Sequence, residues 1–337
     1  MSTMISESQE NKPESILRVD NLGIDYASDF GRIHALRNVS LEVAPGEILG
    51  VVGESGSGKT TLALAVSRLL KMPPAIRTKG RVSFENTNVL LSSERKIDKI
   101  RGTGIFMIFQ DPFMSLNPLM TVGDQLLEAI RIRCRHNSED YQTEKALSEA
   151  IGYLKDVRVG DAEDVIHRYP HQLSGGQNQR IMLAMALAEK PRLLIADEPT
   201  TALDVTTQAQ VLNILKDIVV KTKMAVLYIT HDLSVAGVFC DRIAVMYGGM
   251  VQEIGKADQV LLSPKHPYTI GLIKSIPSKK KSEGLLEVIN GTFSMVDKEE
   301  CLFAPRCPLV HETCLNGIPR LYTVEGQEVR CVNYGEK

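Results

Sequence analysis

No stretch of 18 consecutive apolar residues occurs in the chain, so nothing in it reads as a bilayer-spanning helix. The first fifteen residues, Met1 to Ser15, lack the continuous apolar core of a secretory signal and read as a flexible tail. The expectation is a cytoplasmic protein, with any membrane role coming through partners. Neither sign of charge is in excess: 39 Lys and Arg stand against 41 Asp and Glu. That balance leaves no electrostatic footprint for nucleic acid or an anionic membrane. Internal repeats are absent. Cysteine is sparse before residue 300, with only Cys134 and Cys240, but Cys301, Cys307, Cys314 and Cys331 then crowd the C-terminal end. In a reducing cytosol, clustered thiols suggest a metal site more readily than disulfides. The 337 residues suffice for one large α/β domain and a smaller one.

What is present is a phosphate-binding motif in its proper setting. Gly53-Glu54-Ser55-Gly56-Ser57-Gly58-Lys59-Thr60 fits G-x-x-x-x-G-K-[ST], and Thr61 follows it. An apolar strand, Glu47–Val52, runs into it, and Thr60 to Leu70 carries Leu62, Val66, Leu69 and Leu70 at helical spacing, with Pro73-Pro74 as the stop. Glycines at 53, 56 and 58 let the backbone wrap a phosphate with its amides turned inward, and the helix start adds positive potential. Lys59 should reach the β- and γ-phosphates of ATP, and the Thr60 hydroxyl should ligate Mg²⁺.

Leu193–Asp197 is apolar enough to be a parallel strand buried on both faces, and it ends in adjacent carboxylates. Asp197 is placed to hold Mg²⁺ through water. Glu198 points elsewhere and is assigned as general base for the attacking water. Other strands are expected at Ile16–Tyr26, Arg32–Val43, Arg81–Glu85, Ile105–Phe109, Ala225–Thr230 and Arg242–Tyr247. From Pro112 to about Tyr169 the pattern is amphipathic helix, read as an inserted subdomain spanning about 112–175. Ser278 to Ser282 reads as a solvated linker. Ser174-Gly175-Gly176-Gln177 is a capped helix start in which the two glycines ask for close approach to something.

Leu173-Ser174-Gly175-Gly176-Gln177, lying between the phosphate loop and the paired carboxylates, resembles the signature of ATP-binding cassettes of ABC transporters. The resemblance implies a P-loop NTPase core with an antiparallel β subdomain and a helical subdomain. It makes Gln110 the Q-loop residue that reaches Mg²⁺ and water, His231 the switch histidine at the γ-phosphate, and Tyr26 the adenine-stacking aromatic. It places the signature residues against the γ-phosphate of an opposing subunit, with Ala202-Leu203-Asp204 lining the same seam. Asn178 departs from the commoner basic or Gln residue.

Two further stretches resemble ATPase subunits of oligopeptide/dipeptide importers: Gln110 to Pro118, and His266-Pro267-Tyr268-Thr269-Ile270-Gly271-Leu272 with the cysteine tail. The divisions implied are a tail at 1–15, an ATPase domain at 16–255 and a Cys-rich extension at 256–337. The partners implied are a second ABC ATPase, two transmembrane permease subunits and an extracytoplasmic solute-binding protein. Nickel, glutathione or oligosaccharides are alternative solutes, and a soluble ABC ATPase is a further class. The four cysteines lack paired C-x2-C knuckles; they are read as the ligands of a [4Fe–4S] cluster, which some members of the family carry, with a zinc ion or metal-free thiols as the alternatives.

Overall fold

A computed structural model describes residues 15–28, 31–110, 115–201, 203–276, 289, 291 and 300–335. The expected linker at Ser278–Ser282, nearly all of the N-terminal tail, and Asp111 to Met114 of the Q-loop segment lie outside the described residues. So does Ala202.

The strands, in chain order, are β1 (Leu17–Ser28), β2 (Gly31–Val43), β3 (Ile48–Val52), β4 (Ala75–Phe84), β5 (Thr87–Asn88) and β6 (Ile105–Ile108). They continue with β7 (Leu193–Asp197), β8 (Ala225–Thr230), β9 (Arg242–Tyr247), β10 (Met250–Lys256), β11 (Tyr322–Val324) and β12 (Gln327–Val329). One sheet has the order β2-β1-β4-β5 and is antiparallel. The other has the order β11-β12-β10-β9-β3-β8-β7-β6, with β6, β7, β8, β3 and β9 mutually parallel.

Every residue of β3, β7 and β8 is buried, as expected of apolar runs in a parallel sheet covered on both faces. Alternation of side chains divides each strand between two cores. Leu49, Val51, Leu193, Ile195, Leu227 and Ile229 pack against the antiparallel sheet and the helix Lys59–Val66. Val52, Leu194, Ala196, Val226 and Tyr228 join the helical subdomain.

That subdomain contains helices at Val122–Asn137, Thr143–Asp156 and Ala162–Val165, and the signature helix Gly175–Glu189 packs against the first two. Thr121 opens the first with a capping box closed by Asp124. The side chain of Arg133 ties three helices together. It donates two 2.8 Å bonds to the Glu149 carboxylate and a 3.0 Å bond to the Ala188 carbonyl.

Two boundaries differ from the sequence expectation by four residues or more, the others by two at most. The helix after the phosphate loop ends at Val66, short of Leu70, because the Ser67 hydroxyl donates back to Ala63 O at 2.9 Å and Arg68 takes a left-handed φ of 58°. The strand expected at Arg81–Glu85 begins earlier, at Ala75, because its first half pairs with β1 out to Tyr26. Beyond Tyr247, the glycines at 248 and 249 both have positive φ and turn β9 into β10, an antiparallel pairing the sequence reading did not anticipate. From the C-terminal segment, β11 and β12 extend the edge of this same sheet.

Candidate functional site

The C-terminal ends of β3, β6, β7 and β8 meet at one place, where an open parallel sheet presents its ligand cleft. β3 delivers the phosphate loop, β6 delivers Gln110, β7 delivers Asp197 and Glu198, and β8 delivers His231. The cleft there has a volume of about 770 Å³. Its lining includes Tyr26, Glu54, Ser55, Gly56, Lys59 and Thr61, together with Gly53, Gly58, Thr60, Gln110, Glu198 and His231. Ser57 and Asp197 sit buried just behind that surface.

The glycines answer a steric demand. A Cβ on Gly58, whose φ is 97°, would lie 2.5 Å from the Ala35 carbonyl oxygen. One on Gly53 would lie 2.2 Å from Met246 O. Gly56, at φ 79°, is in the left-handed region that glycine adopts without strain, and a Cβ there would meet nothing. The Lys59 ammonium donates to Gly53 O at 2.8 Å and Glu54 O at 3.0 Å, and lies 3.5 Å from Ser57 Oγ. Burial lowers the Lys59 pKa, while Glu198, Asp197 and Glu54 pull it back up.

Asp197 is buried, and its pKa is raised by desolvation against the opposing hydrogen bond from the Thr60 hydroxyl. A buried carboxylate bonded to a hydroxyl on a phosphate loop is an oxygen donor set of the kind a hard divalent cation takes. Glu198 is held in a left-handed conformation, φ 47°, with its N–H on Ile229 O at 2.9 Å. Such backbone costs about 1–3 kcal/mol and is characteristic of functional positions. One oxygen, Glu198 Oε2, collects Gln110 Nε2 at 3.3 Å, Thr201 Oγ1 at 3.0 Å and His231 Nδ1 at 3.1 Å. This gathers the three expected catalytic residues around one carboxylate in the cleft. Thr201 is the member the sequence reading missed as a site residue. Tyr26 approaches from β1, with its hydroxyl 3.5 Å from Thr61 Oγ1.

The signature residues lie elsewhere. Ser174, Gly175, Gly176 and Gln177 line a separate recess of about 460 Å³ with Leu203 and Asp204. Ser174 and Gln177 form the capping box, the serine hydroxyl accepting from Gln177 N–H at 3.3 Å and Gln177 Oε1 accepting from Ser174 N–H at 3.0 Å. Gly176 packs against Thr207, whose methyl a Cβ would meet at 2.9 Å, whereas Gly175 faces open space. Asp204 caps the helix Val205–Thr222, accepting from the Thr206 and Thr207 amides at 3.0 Å each. Asn178 is buried and donates to Pro170 O at 3.0 Å, which accounts for an amide at that position.

The C-terminal segment also reaches the cleft. Leu272, on the helix Pro267–Lys274, lines it. Arg306 grips the Glu54 carboxylate with bonds of 2.8 and 3.1 Å, an approach nothing in the sequence announced. The four cysteines are free and neighbouring: Cys301 N–H donates to Cys314 O at 2.9 Å. Cys301 feels Cys314 and Cys331, and Cys307 feels the same two. Burial pushes the Cys301 thiol up to about 11 and raises Cys307 and Cys331 as well. Among the described residues no three His, Cys, Asp or Glu side chains are grouped to hold a metal ion. The ligand set expected at Cys301, Cys307, Cys314 and Cys331 is therefore not preformed.

Comparison with known proteins agrees with this geometry. The ABC transporter family matches residues 36–201, and the family "Oligopeptide/dipeptide transporter, C-terminal region" matches residues 252–314. The chain is 40% identical over 320 residues to the dipeptide transport ATP-binding protein DppD of Haemophilus influenzae, covering 94% of this chain and 95% of that protein. It is 43% identical over 278 residues to the oligopeptide transport ATP-binding protein OppD of Bacillus subtilis, covering 82% of this chain and 76% of that one. Among solved structures it resembles the ATP-binding cassette MJ0796, a dimer bound to ADP and Pi. The TM-score is 0.63 at 31% identity, covering 72% of this chain and 98% of that one. A chain with this cleft, this separated signature and these similarities belongs to the ABC transporter family, in the branch of ATP-binding subunits of oligopeptide/dipeptide transporters.

Proposed function

We propose that the chain hydrolyses ATP to power uptake of di- and oligopeptides through partner membrane subunits. The ATPase activity follows from the family; the solute rests on similarity to peptide-import proteins over 94–95% of the chain. The observation that carries the mechanism is the convergence of Gln110, Thr201 and His231 on Glu198 Oε2 in the cleft that the phosphate loop lines.

In this reading, amides of Ser55 to Thr60 cradle the phosphates and Lys59 turns its ammonium to the β- and γ-oxygens. Tyr26 offers its ring to adenine. Asp197, Thr60 and Gln110 would hold Mg²⁺, which when bound draws charge from the phosphate oxygens. Glu198 accepts a proton from the attacking water. His231 and Gln110 orient that carboxylate, and Thr201 holds the same oxygen. Because Ser174 to Gln177 occupy a recess apart from the cleft, they serve a second cassette, supplied by another ATPase subunit. The dimeric state of the similar cassette MJ0796 supports this arrangement.

Two permease subunits and an extracytoplasmic solute-binding protein complete the assembly, with this chain peripheral on the cytoplasmic face. No helix among the described residues is long and apolar enough to cross a membrane, so contact with the bilayer runs through those partners. Residues 16–255 form the ATPase unit in this scheme, and 256–337 the extension. Cys301, Cys307, Cys314 and Cys331 would be the ligands of a [4Fe–4S] cluster in this scheme, a reading that rests on the four-thiolate count, since the described residues hold no preformed metal-ligand group. Iron-free, colourless protein after anaerobic purification would exclude the cluster.

Uptake of labelled di- and oligopeptides decides the main proposal, measured in cells deleted for this chain and complemented. Restoration by wild type but not by Lys59→Ala is expected. Full peptide uptake in the deletion strain, with no other peptide transporter active, would refute the solute assignment and leave the ATPase intact.

A further inference from the structure

Glu54 is an anionic side chain inside a loop that must receive a polyanion. Its side chain lines the cleft on the same loop as Lys59. Left free, it would compete with phosphate for the Lys59 ammonium and repel the nucleotide. The C-terminal segment removes that conflict. Arg306 closes a two-pronged, charge-assisted pair on Glu54, with Nη1 to Oε2 at 2.8 Å and Nη2 to Oε1 at 3.1 Å.

The arginine is itself fixed. Its side chain is only 7% exposed, its guanidinium lies 5.7 Å over the Tyr247 ring, and Nη1 also lies 3.4 Å from the Tyr247 hydroxyl. The backbone of the same loop residue is held from the same side, Glu54 N–H donating to the Tyr268 hydroxyl at 3.1 Å. Tyr268 is fully buried and packs with Tyr247 and Phe303 at ring-centroid distances of 4.7 and 5.4 Å.

We propose that Arg306, seconded by Tyr268, is a positioning residue for ATP binding. It offsets the charge of the Glu54 carboxylate beside the phosphate loop and holds the first turn of that loop in its receiving shape. The C-terminal segment thereby becomes part of the nucleotide site. This rests on the ATPase assignment and is independent of the transported solute.

The test uses the full-length chain, with MgATP affinity from titration of a fluorescent ATP analogue and with ATPase kcat and KM. Arg306→Met should weaken nucleotide binding and raise KM about tenfold, with kcat within about twofold, the pattern of lost uniform binding. Arg306→Lys, which has no fork, should fall between. Glu54→Gln combined with Arg306→Met should recover most of the affinity, because the carboxylate that needed restraint is gone; a role only in packing would show no such rescue. Thermal melts confirm that each variant is folded. If Arg306→Met does not fold, Arg306→Lys with and without Glu54→Gln gives the same comparison. An unchanged KM in folded Arg306→Met, or a double variant no better than the single, overturns the proposal. A wild type that binds no ATP would instead overturn the ATPase assignment.

Discussion

Glu189 is the last residue of the signature helix Gly175–Glu189, and only 4% of it is exposed. Among the described residues its Oε2 has no hydrogen-bond partner, and the carboxyl packs on Gly102, where a Cβ would sit 2.6 Å from that oxygen. Desolvation raises its pKa to about 7, against a weaker pull from Arg133. The negative end of its own helix acts in the same direction as burial. A raised folded pKa means the native state binds the proton more tightly than the unfolded chain does. Stability conferred by this group is therefore present below pH 4.5 and falls as pH rises toward about 7. The shift corresponds to a penalty of about 3 kcal/mol on the charged form. Glu189→Gln keeps the shape of the neutral acid and cannot ionise. Denaturant unfolding at pH 4.5 should find variant and wild type about equally stable, while at pH 8 the variant should be more stable by about 2–3 kcal/mol. A stability difference that does not change with pH would refute the reasoning.

Three further outcomes are expected. Glu198→Gln should bind ATP and form a long-lived closed dimer on size-exclusion chromatography, with turnover reduced about 10²- to 10⁴-fold. Near-normal turnover would remove Glu198 from its role. Arg133→Met should cost about 2 kcal/mol at neutral pH by denaturant unfolding, because it removes both forked bonds to Glu149 and the bond to Ala188 O, leaving Glu149 with Tyr153 and Lys190. Arg133 holds Glu149 down to about 2, so the stabilisation is present above pH 4.5 and lost as pH falls through about 2; the cost of the variant should fade over that window. Gly58→Ala should weaken nucleotide binding by isothermal titration, since the new Cβ meets the Ala35 carbonyl oxygen at 2.5 Å in a left-handed backbone.

Much of the site was legible because its parts are contiguous. The phosphate loop carries its glycines, lysine and threonine within eight residues, and β7 announces itself as an apolar run ending in Asp197 and Glu198. The capping box at Ser174 is likewise local. Less legible was β10, where Gln252 and Glu253 are buried among the strand's other residues. Gln252 donates to Tyr247 O at 3.1 Å, and Glu253 accepts from the amides of Lys265 and His266 at 2.7 and 2.9 Å, a contact made by the following segment. The early end of the helix at Val66 was hidden for a similar reason, since Leu69 and Leu70 continue the apolar spacing past the turn at Ser67 and Arg68.

The sequence alone determined what adjacent residues can do together: a backbone loop with inward amides, a strand apolar on both faces, a helix start with its own cap. These depend on φ/ψ preferences and side-chain chemistry within a few residues. Only the tertiary structure decided that Gln110, Thr201 and His231 converge on one oxygen of Glu198, and that the signature lies in a recess apart from the cleft. It also decided that Arg306, 252 residues from Glu54, closes on the phosphate loop. Such meetings depend on the order and register in which parallel strands assemble and on which chain end covers their edge. No local pattern of residues carries that information.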